Sequence, residues 1–414
     1  MSQQAPLLRI GRPDDGWSVA LNALQTFPLI EATWDEALQA LARVQPAAVL
    51  VTDNEADAAT VAAFASAVDA LAPYVPLIAV NPTPGQWASN LIPFAAPNGL
   101  ARLDARLTAA LRVRTLHAAV LRRHAGADAL PALPDSDPLA DASVLLLGRG
   151  ASYPALSIAL GERVGVIGAL SIEIAAKHLN SRDLDGIVVG DGFSPRVVEA
   201  FLTVLADDPR FRDLPVVLTG SAAAFASSAQ LANLELASGP AAEMAAQSLG
   251  LFRQHALAAR LGRALQSLEA GGLLDPRTGL LQPEVFERDF AAAATDAQQR
   301  GASLSAARFA FDGAANRMLF DAARILSRLK RQADFACMQS DGSLLVAFTE
   351  TELRTAHMIA RRLASVMRHT LHGLGRDKGV EPHVTIVTLL PKDSAATMRA
   401  RLEGDSRPQR QAAS

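Results

Sequence analysis

The sequence predicts an α/β protein: two tandem doubly wound parallel sheets, then a third α/β domain of a different pattern. Three observations predict it. Short, wholly apolar runs alternate with longer stretches of helical period, the mark of strand–helix units around a parallel sheet. The series occurs twice in the same order, as an internal duplication would produce. The chain, at 414 residues, is also too long for one ordinary domain, and with 50% of it hydrophobic it can bury several cores.

Leu7-Leu8-Arg9-Ile10 opens the first series. Helical stretches over 17–26 and 34–43 follow, then the strand Ala48-Val49-Leu50-Val51 and a helix over 58–71. Leu77-Ile78-Ala79-Val80 and Leu91-Ile92-Pro93-Phe94 are the next strands, and a long helix runs on through Arg122. Pro131, Pro134 and Pro138, set among small and acidic residues, mark 125–141 as a linker. The second series has strands at Ser143-Val144-Leu145-Leu146-Leu147, Gly186-Ile187-Val188-Val189, Pro215-Val216-Val217-Leu218-Thr219 and Asn233-Leu234-Glu235-Leu236. A helix over 242–269 leaves it and stops at Gly271-Gly272. The predicted division is therefore 1–124, linker 125–141, 142–250, connecting helix 251–272, third domain 273–404 and a polar tail 405–414. Within the third domain, the strand Ala307-Arg308-Phe309-Ala310-Phe311 ends in Asp312. An amphipathic helix carries the stripe Leu319, Ala322, Leu326 and Leu329. Strands Phe335-Ala336-Cys337-Met338 and Leu345-Val346-Ala347-Phe348 and a helix over 352–371 complete the pattern.

Lys plus Arg number 39 against 42 Asp plus Glu, a net charge of −3, so nothing electrostatic favours nucleic acid. One cysteine, Cys337, excludes an internal disulfide and a four-thiolate zinc site, and its apolar strand makes it a buried structural thiol. The eight histidines are scattered, with no HExxH or Cys/His spacing, and no metal site is expected. Gly148-Arg149-Gly150 lacks the rest of a dinucleotide fingerprint, and no Gly-x-Ser-x-Gly elbow occurs. No apolar run approaches the ~18 residues that span a bilayer, and the first residues lack a secretory signal. A cytoplasmic protein without membrane insertion is expected.

Asp53 and Asp191 each end a central strand, at the carboxyl edge of a doubly wound sheet where chemistry is positioned. Asp191 with Pro195 four residues on, and Leu214-Pro215-Val216-Val217-Leu218-Thr219 downstream, resembles the response-regulator receiver domain. That resemblance makes Asp53 a candidate phosphoacceptor, served in the family by an acidic pair holding magnesium, a Ser/Thr and a Lys. Here Asp14-Asp15 are displaced beyond their strand, Ala96-Pro97 and Gly239-Pro240 replace Lys-Pro, and Gly148-Arg149-Gly150 stands where acids belong. Both repeats are accordingly expected to be pseudo-receivers kept as dimerisation and docking surfaces.

Asp275-Pro276-Arg277-Thr278-Gly279-Leu280, directly after the connecting helix, resembles the opening of GGDEF domains, the diguanylate cyclases. Two receivers and a GGDEF domain together resemble the PleD-like response regulators, which include non-catalytic adaptors of the PopA type. The signature itself is degenerate: Ser340-Asp341-Gly342-Ser343-Leu344 occupies its place, with Ser343 where a metal-binding Glu belongs. The loop after Asp312 is shortened too, and no enzymatic activity is expected. Arg331-Gln332-Ala333-Asp334, five residues ahead of Ser340, keeps the Arg-x-x-Asp spacing of the family's inhibitory site, which binds cyclic di-GMP. A guanidinium suits phosphate oxygens or guanine N7/O6, and a carboxylate suits the guanine N1–H and N2–H edge. The helix-to-strand turn is expected to expose both side chains on one rim. Arg361 and Arg362 are candidates for an additional clamping arginine, Arg362 lying at the better offset. The resemblance implies a dimeric cyclic di-GMP effector needing no cofactor, placed at a cell pole and delivering substrates to the ClpXP protease through another adaptor. The alternatives are a ligand-independent scaffold and, last, an active cyclase.

Overall fold

In the computed structural model, residues 5–13, 16–24, 27–83, 88–96, 99–125, 136–220, 231–312, 316–370 and 382–404 are described. Two compact units divide the chain. One holds residues 6–117 and 133–261; the other holds 1–5, 118–132 and 262–414.

The first unit contains two parallel five-stranded sheets. β1 (Leu7–Ile10), β2 (Leu29–Ala32), β3 (Ala48–Val51), β4 (Leu77–Val80) and β5 (Leu91–Phe94) lie in the order β2-β1-β3-β4-β5. β6 (Ser143–Leu147), β7 (Gly165–Ala169), β8 (Gly186–Val189), β9 (Val216–Thr219) and β10 (Leu234–Ala237) repeat it as β7-β6-β8-β9-β10. This 2-1-3-4-5 order is one of the two common doubly wound arrangements. The central strands β3, β4 and β8 are buried along their whole length, as continuous Val/Leu/Ile runs covered on both faces should be.

Alternate residues of each strand serve different layers. Leu8, Ile10, Val49 and Val51 pack under α2 (Ala37–Val44) and α3 (Ala58–Asp69). Their neighbours Leu7, Leu50, Ile78 and Ile92 face α1 (Trp17–Leu24) and the 26-residue α4 (Gly99–His124). In the second repeat, Leu145, Ile187 and Val216 meet α6 (Ile172–Ser181) and α7 (Pro195–Asp207). Val144, Leu146 and Val188 face α5 (Tyr153–Gly161) and α8 (Ala241–Leu268). The α4 and α8 layers belong to a single apolar cluster running from Leu103 and Leu107 to Leu251 and Phe252. The two repeats thus share one core.

Arg106 of α4, 0% exposed, stitches that shared core. Its guanidinium donates to the carbonyls of Pro93, Leu234 and Ala232 and pairs with the buried Glu235 carboxylate at 2.5 Å. Pro93 lies in β5 and Leu234 in β10, so one side chain ties both edge strands. Close by, α8 crosses β5 at Gly250, where a Cβ would lie 1.8 Å from the Leu91 carbonyl oxygen.

The second unit has a four-stranded antiparallel sheet in the order β12-β13-β11-β14. Its strands are β11 (Leu304–Ala310), β12 (Phe335–Met338), β13 (Leu344–Thr349) and β14 (His383–Thr388). α9 (Pro283–Arg300) and α12 (Ala395–Gly404) cover one face, α10 (Asn316–Leu329) and α11 (Leu353–Thr370) the other.

Several expectations need correction. Strands β2, β7 and β14 are not among those the sequence pattern predicts; β2 and β7 are edge strands only partly buried, and β14 alternates in burial. The end of the expected linker is packed: Pro138 and Leu139 are buried in a short 3-10 turn, and Arg260 bonds Ser136 O and the Asp141 carboxylate. The start of the expected connecting helix 251–272 also contributes to a core, since Leu251, Phe252 and Ala256 are buried in the first unit. Leu329 leaves the predicted apolar stripe and is exposed at the end of α10. Residues 126–135 and the tail 405–414 lie outside the described residues. Among the described residues, no helix is long and apolar enough to cross a membrane.

Replacing Arg106 by Leu strands Glu235 as a buried unpaired charge and should cost on the order of 3–5 kcal/mol of stability. Urea denaturation of Arg106→Leu measures this. Arg106→Leu combined with Glu235→Leu should recover part of the loss, because no lone charge then remains in the core.

Candidate functional site

α10 ends at Leu329, and a tight turn carries the chain into β12, with Asp334 N donating to Arg331 O at 3.1 Å. β12 pairs antiparallel with β13, Phe335 opposite Ala347, which sets Asp334 beside the end of β13. There its Oδ1 accepts from Thr349 N at 3.2 Å, and Thr349 Oγ1 donates back to Ala333 O. Asp334 is 3% exposed, whereas Arg331 is exposed. The expectation of two side chains on one open rim is therefore corrected: the carboxylate works as a buried cap on the β12–β13 ladder. Burial pushes its pKa up to about 6, against the pull of Arg331, the Thr349 N–H and Lys330.

Phe335, the first residue of β12, is met by the end of α4. The Arg122 and Arg123 guanidinium carbons stand 5.7 and 5.2 Å from the Phe335 ring centroid. Arg123 pairs with the fully buried Asp289 of α9. Burial lowers the Arg122 pKa, and the charges of Asp296, Glu350 and Asp334 offset part of that. Among the described residues, no hydrogen bond or ion pair links Arg362 with Arg331 or Asp334; Arg361 and Arg362 are exposed on α11.

The hairpin between β12 and β13 closes by Gly342 N donating to Gln339 O and Gln339 N to Ser343 O. Gly342 adopts φ of 80°, a left-handed turn conformation that glycine takes without strain. Ser343 sits buried at the turn, and its N–H and hydroxyl both donate to Asp341 Oδ1. Arg308 of β11 reaches across, donating to Asp341 Oδ2 at 2.7 Å and to Ser343 Oγ at 3.2 Å. Burial opposes ionisation of Asp341, yet the Ser343 hydrogen bonds and Arg308 together hold it below the usual carboxylate range. A cation of the chain itself thus serves the hairpin's carboxylate. Asp312 is exposed just past β11. Among the described residues, no cluster of three or more His, Cys, Asp or Glu side chains could hold a metal ion. Cys337 is buried, and burial pushes its thiol up to about 12.

In the first repeat, Asp53 follows β3 with its Oδ1 accepting from Glu55 N at 3.0 Å and its carbonyl from the Trp34 indole. Arg12 Nε stands 3.6 Å from Asp53 Oδ2 and also pairs with Glu55. Beneath them, the buried Arg9 bonds Thr52, Ser18, Glu31 and the Arg12 carbonyl. Asp14 and Asp15 lie outside the described residues. In the second repeat, Ser152 Oγ donates to Asp191 Oδ2 at 2.9 Å, and the Arg149 and Gly150 N–H groups are taken by the Asp191 carbonyl. Sequence reasoning missed Arg9, Arg122 and Arg308; for Arg9 and Arg308 the available signal was a lone arginine inside an otherwise apolar strand, and Arg122, followed by Arg123 and His124, offered none.

No family model and no curated protein matches the chain. Among solved structures, it is similar to the coiled coil and GGDEF domain of DgcB from Caulobacter crescentus in complex with c-di-GMP. That match has 13% identity and a TM-score of 0.31, over 35% of this chain and 84% of that one. It is also similar to the diguanylate cyclase SiaD with its activator SiaC from Pseudomonas aeruginosa, at 18% identity and a TM-score of 0.31. Here 34% of this chain is covered, and 58% of that chain. The FimX GGDEF domain from Pseudomonas aeruginosa matches at 17% identity and a TM-score of 0.29, over 32% and 90%. At these identities and scores the likeness assigns no activity.

Because the folded carboxyl of Asp334 titrates above its unfolded value of 3.8, the folded state holds the extra proton between the two pKa values. Stability from this group is therefore greatest below the unfolded pKa and falls as pH rises toward about 6. Asp334→Asn should keep the Thr349 bond and flatten this part of the pH dependence. Thermal melts of both proteins at pH 5 and pH 7.5 check it: the variant should gain at the higher pH, by on the order of 2 kcal/mol.

Proposed function

We propose that the chain is a non-catalytic receptor for cyclic di-GMP, with two receiver-like repeats and a GGDEF-like domain, and that its ligand state is read by protein partners. The observation that carries the reading is the pair of fates within one domain. Arg331 is exposed, three residues from an anchored carboxylate, while the hairpin carboxylate Asp341 is engaged by Arg308. A ligand with two phosphates and two guanines could take the Arg331 fork on a phosphate or on O6/N7. Asp334 would take an N1–H/N2–H edge once uncovered, and Arg362 would supply the second fork. Ser343 offers no carboxylate for a metal, which supports a domain without cyclase activity.

In the repeats, Arg12 beside Asp53 and the Ser152 bond on Asp191 support docking surfaces rather than phosphorylated switches. Homodimer formation, adaptor action and delivery of substrates to a protease stay part of this reading.

A second reading, a ligand-independent scaffold, is favoured by one observation, the burial of Asp334. Calorimetry with cyclic di-GMP on the full chain separates the two. The receptor should bind at micromolar Kd or tighter, and Arg331→Ala should weaken binding at least tenfold, about 1.4 kcal/mol. A flat titration on folded protein selects the scaffold. Incubation with GTP and magnesium should yield no cyclic di-GMP, and robust product would overturn the assignment of Ser343.

A further inference from the structure

The two parallel sheets end in four edge strands, β2, β5, β7 and β10, and three of them are protected. β2 carries Glu31, paired with Arg9. β5 contains Pro93, β10 contains Glu235, and Arg106 takes a main-chain carbonyl from each strand. Charge, proline and covering groups are the devices that keep an edge from pairing with another chain. β7, Gly165-Val166-Ile167-Gly168-Ala169, has none of them. It holds no charge and no proline and, among the described residues, no strand or hydrogen-bond partner lies beyond it.

Gly165 N donates to Ala142 O and Ala169 O accepts from Gly148 N, so Gly165, Ile167 and Ala169 turn their main chain toward β6. Val166 and Gly168 turn theirs outward, because successive residues of a strand point their N–H and C=O groups to opposite sides. The layers beside the strand are apolar and open. α5 and α6 both pack on β7, and Ile158 of α5, Leu170 after the strand and Ile174 of α6 are 68%, 56% and 44% exposed.

We propose that β7 is a homodimer surface, pairing antiparallel with β7 of a second copy about a two-fold axis through Ile167. That axis sets Val166 opposite the partner's Gly168, and each exchanges its N–H and C=O with the other, so every outward group of the strand is met. The edge is self-complementary, as an isologous interface requires. An axis normal to the sheet also keeps like layers together, bringing the exposed isoleucines of α5 and α6 toward their own copies. Charge agrees. Glu162 and Arg163 precede the strand, Glu173 and Lys177 follow it, and all are exposed. Antiparallel pairing lays the first end of one copy beside the last end of the other, where each acid finds a base. The inference gives the homodimer a surface and stands whether or not the chain binds cyclic di-GMP.

The test is the mass of the full chain in solution over a dilution series, by light scattering or sedimentation. The unaltered chain should be a dimer that dissociates on dilution. Val166→Pro removes an outward N–H that β6 does not use, and Ile174→Lys charges an exposed position. Each should raise the dimer dissociation constant about tenfold or more. Val204→Lys, at an exposed position of α7, should leave it unchanged. Ile167→Cys should give a disulfide-linked dimer on mild oxidation, because Cα atoms on the axis lie about 4.5 Å apart. The native Cys337 is buried and does not compete. A dimer that Val166→Pro and Ile174→Lys leave intact pairs elsewhere and overturns the proposal. A monomer at every concentration overturns it too; in that case slow hydrogen exchange of the Val166 and Gly168 amides assigns the edge to another segment of the chain. Should Val166→Pro unfold, Ile158→Lys and Ile174→Lys decide the matter by the same outcomes.

Discussion

A guanidinium held away from water is tolerated only where counter-charge or carbonyl oxygen meets it, and this constraint fixes the long helix α4. Arg106, Arg114, Arg122 and Arg123 all lie on that helix, and all are buried. Each is met within its own unit: Arg106 by Glu235 and three carbonyls, Arg114 by the Pro46 carbonyl, Arg123 by Asp289, and Arg122 by the Phe335 ring. Apolar contacts between Ala and Leu surfaces tolerate sliding, because one methyl replaces another at little cost. Buried arginines do not, because a shift of one residue would separate charge from counter-charge. The helix is therefore held in register by its most polar residues, in a chain with few aromatics to do it.

Most central strands were legible because a strand covered on both faces must be apolar throughout, as Val49-Leu50-Val51 and Ile187-Val188-Val189 are. Edge strands lack that signature. Leu29-Ile30-Glu31-Ala32 carries an acid that serves Arg9, and Gly165-Val166-Ile167-Gly168-Ala169 is diluted by glycine. The arginines were illegible for a different reason. Within a helix face they look solvated, and the residues that pair with them stand far away in sequence, Glu235 lying 129 positions from Arg106. Asp334 suffered likewise: the turn that carries it is local and was readable, but its hydrogen bond to Thr349 depends on a strand pairing that the turn alone does not reveal.

The hairpin shows how a carboxylate can be closed off internally: Arg308, Ser343 and the turn backbone between them occupy both oxygens of Asp341. Such a network is self-sufficient, since each member's hydrogen-bonding capacity is met by another member. In the first repeat Arg12, Glu55 and Asp53 make a looser version of the same arrangement at a sheet edge. Both sites hold carboxylates where the chain itself provides the positive charge.

The single apolar cluster beneath α4 and α8 has a practical meaning for anyone dissecting the molecule. Cutting the chain between the two parallel sheets would open Leu103 and Leu107 on one fragment, and Leu251 and Phe252 on the other, to water. Neither fragment would be a natural module. A fragment that keeps both sheets together through Leu261 would keep that cluster whole.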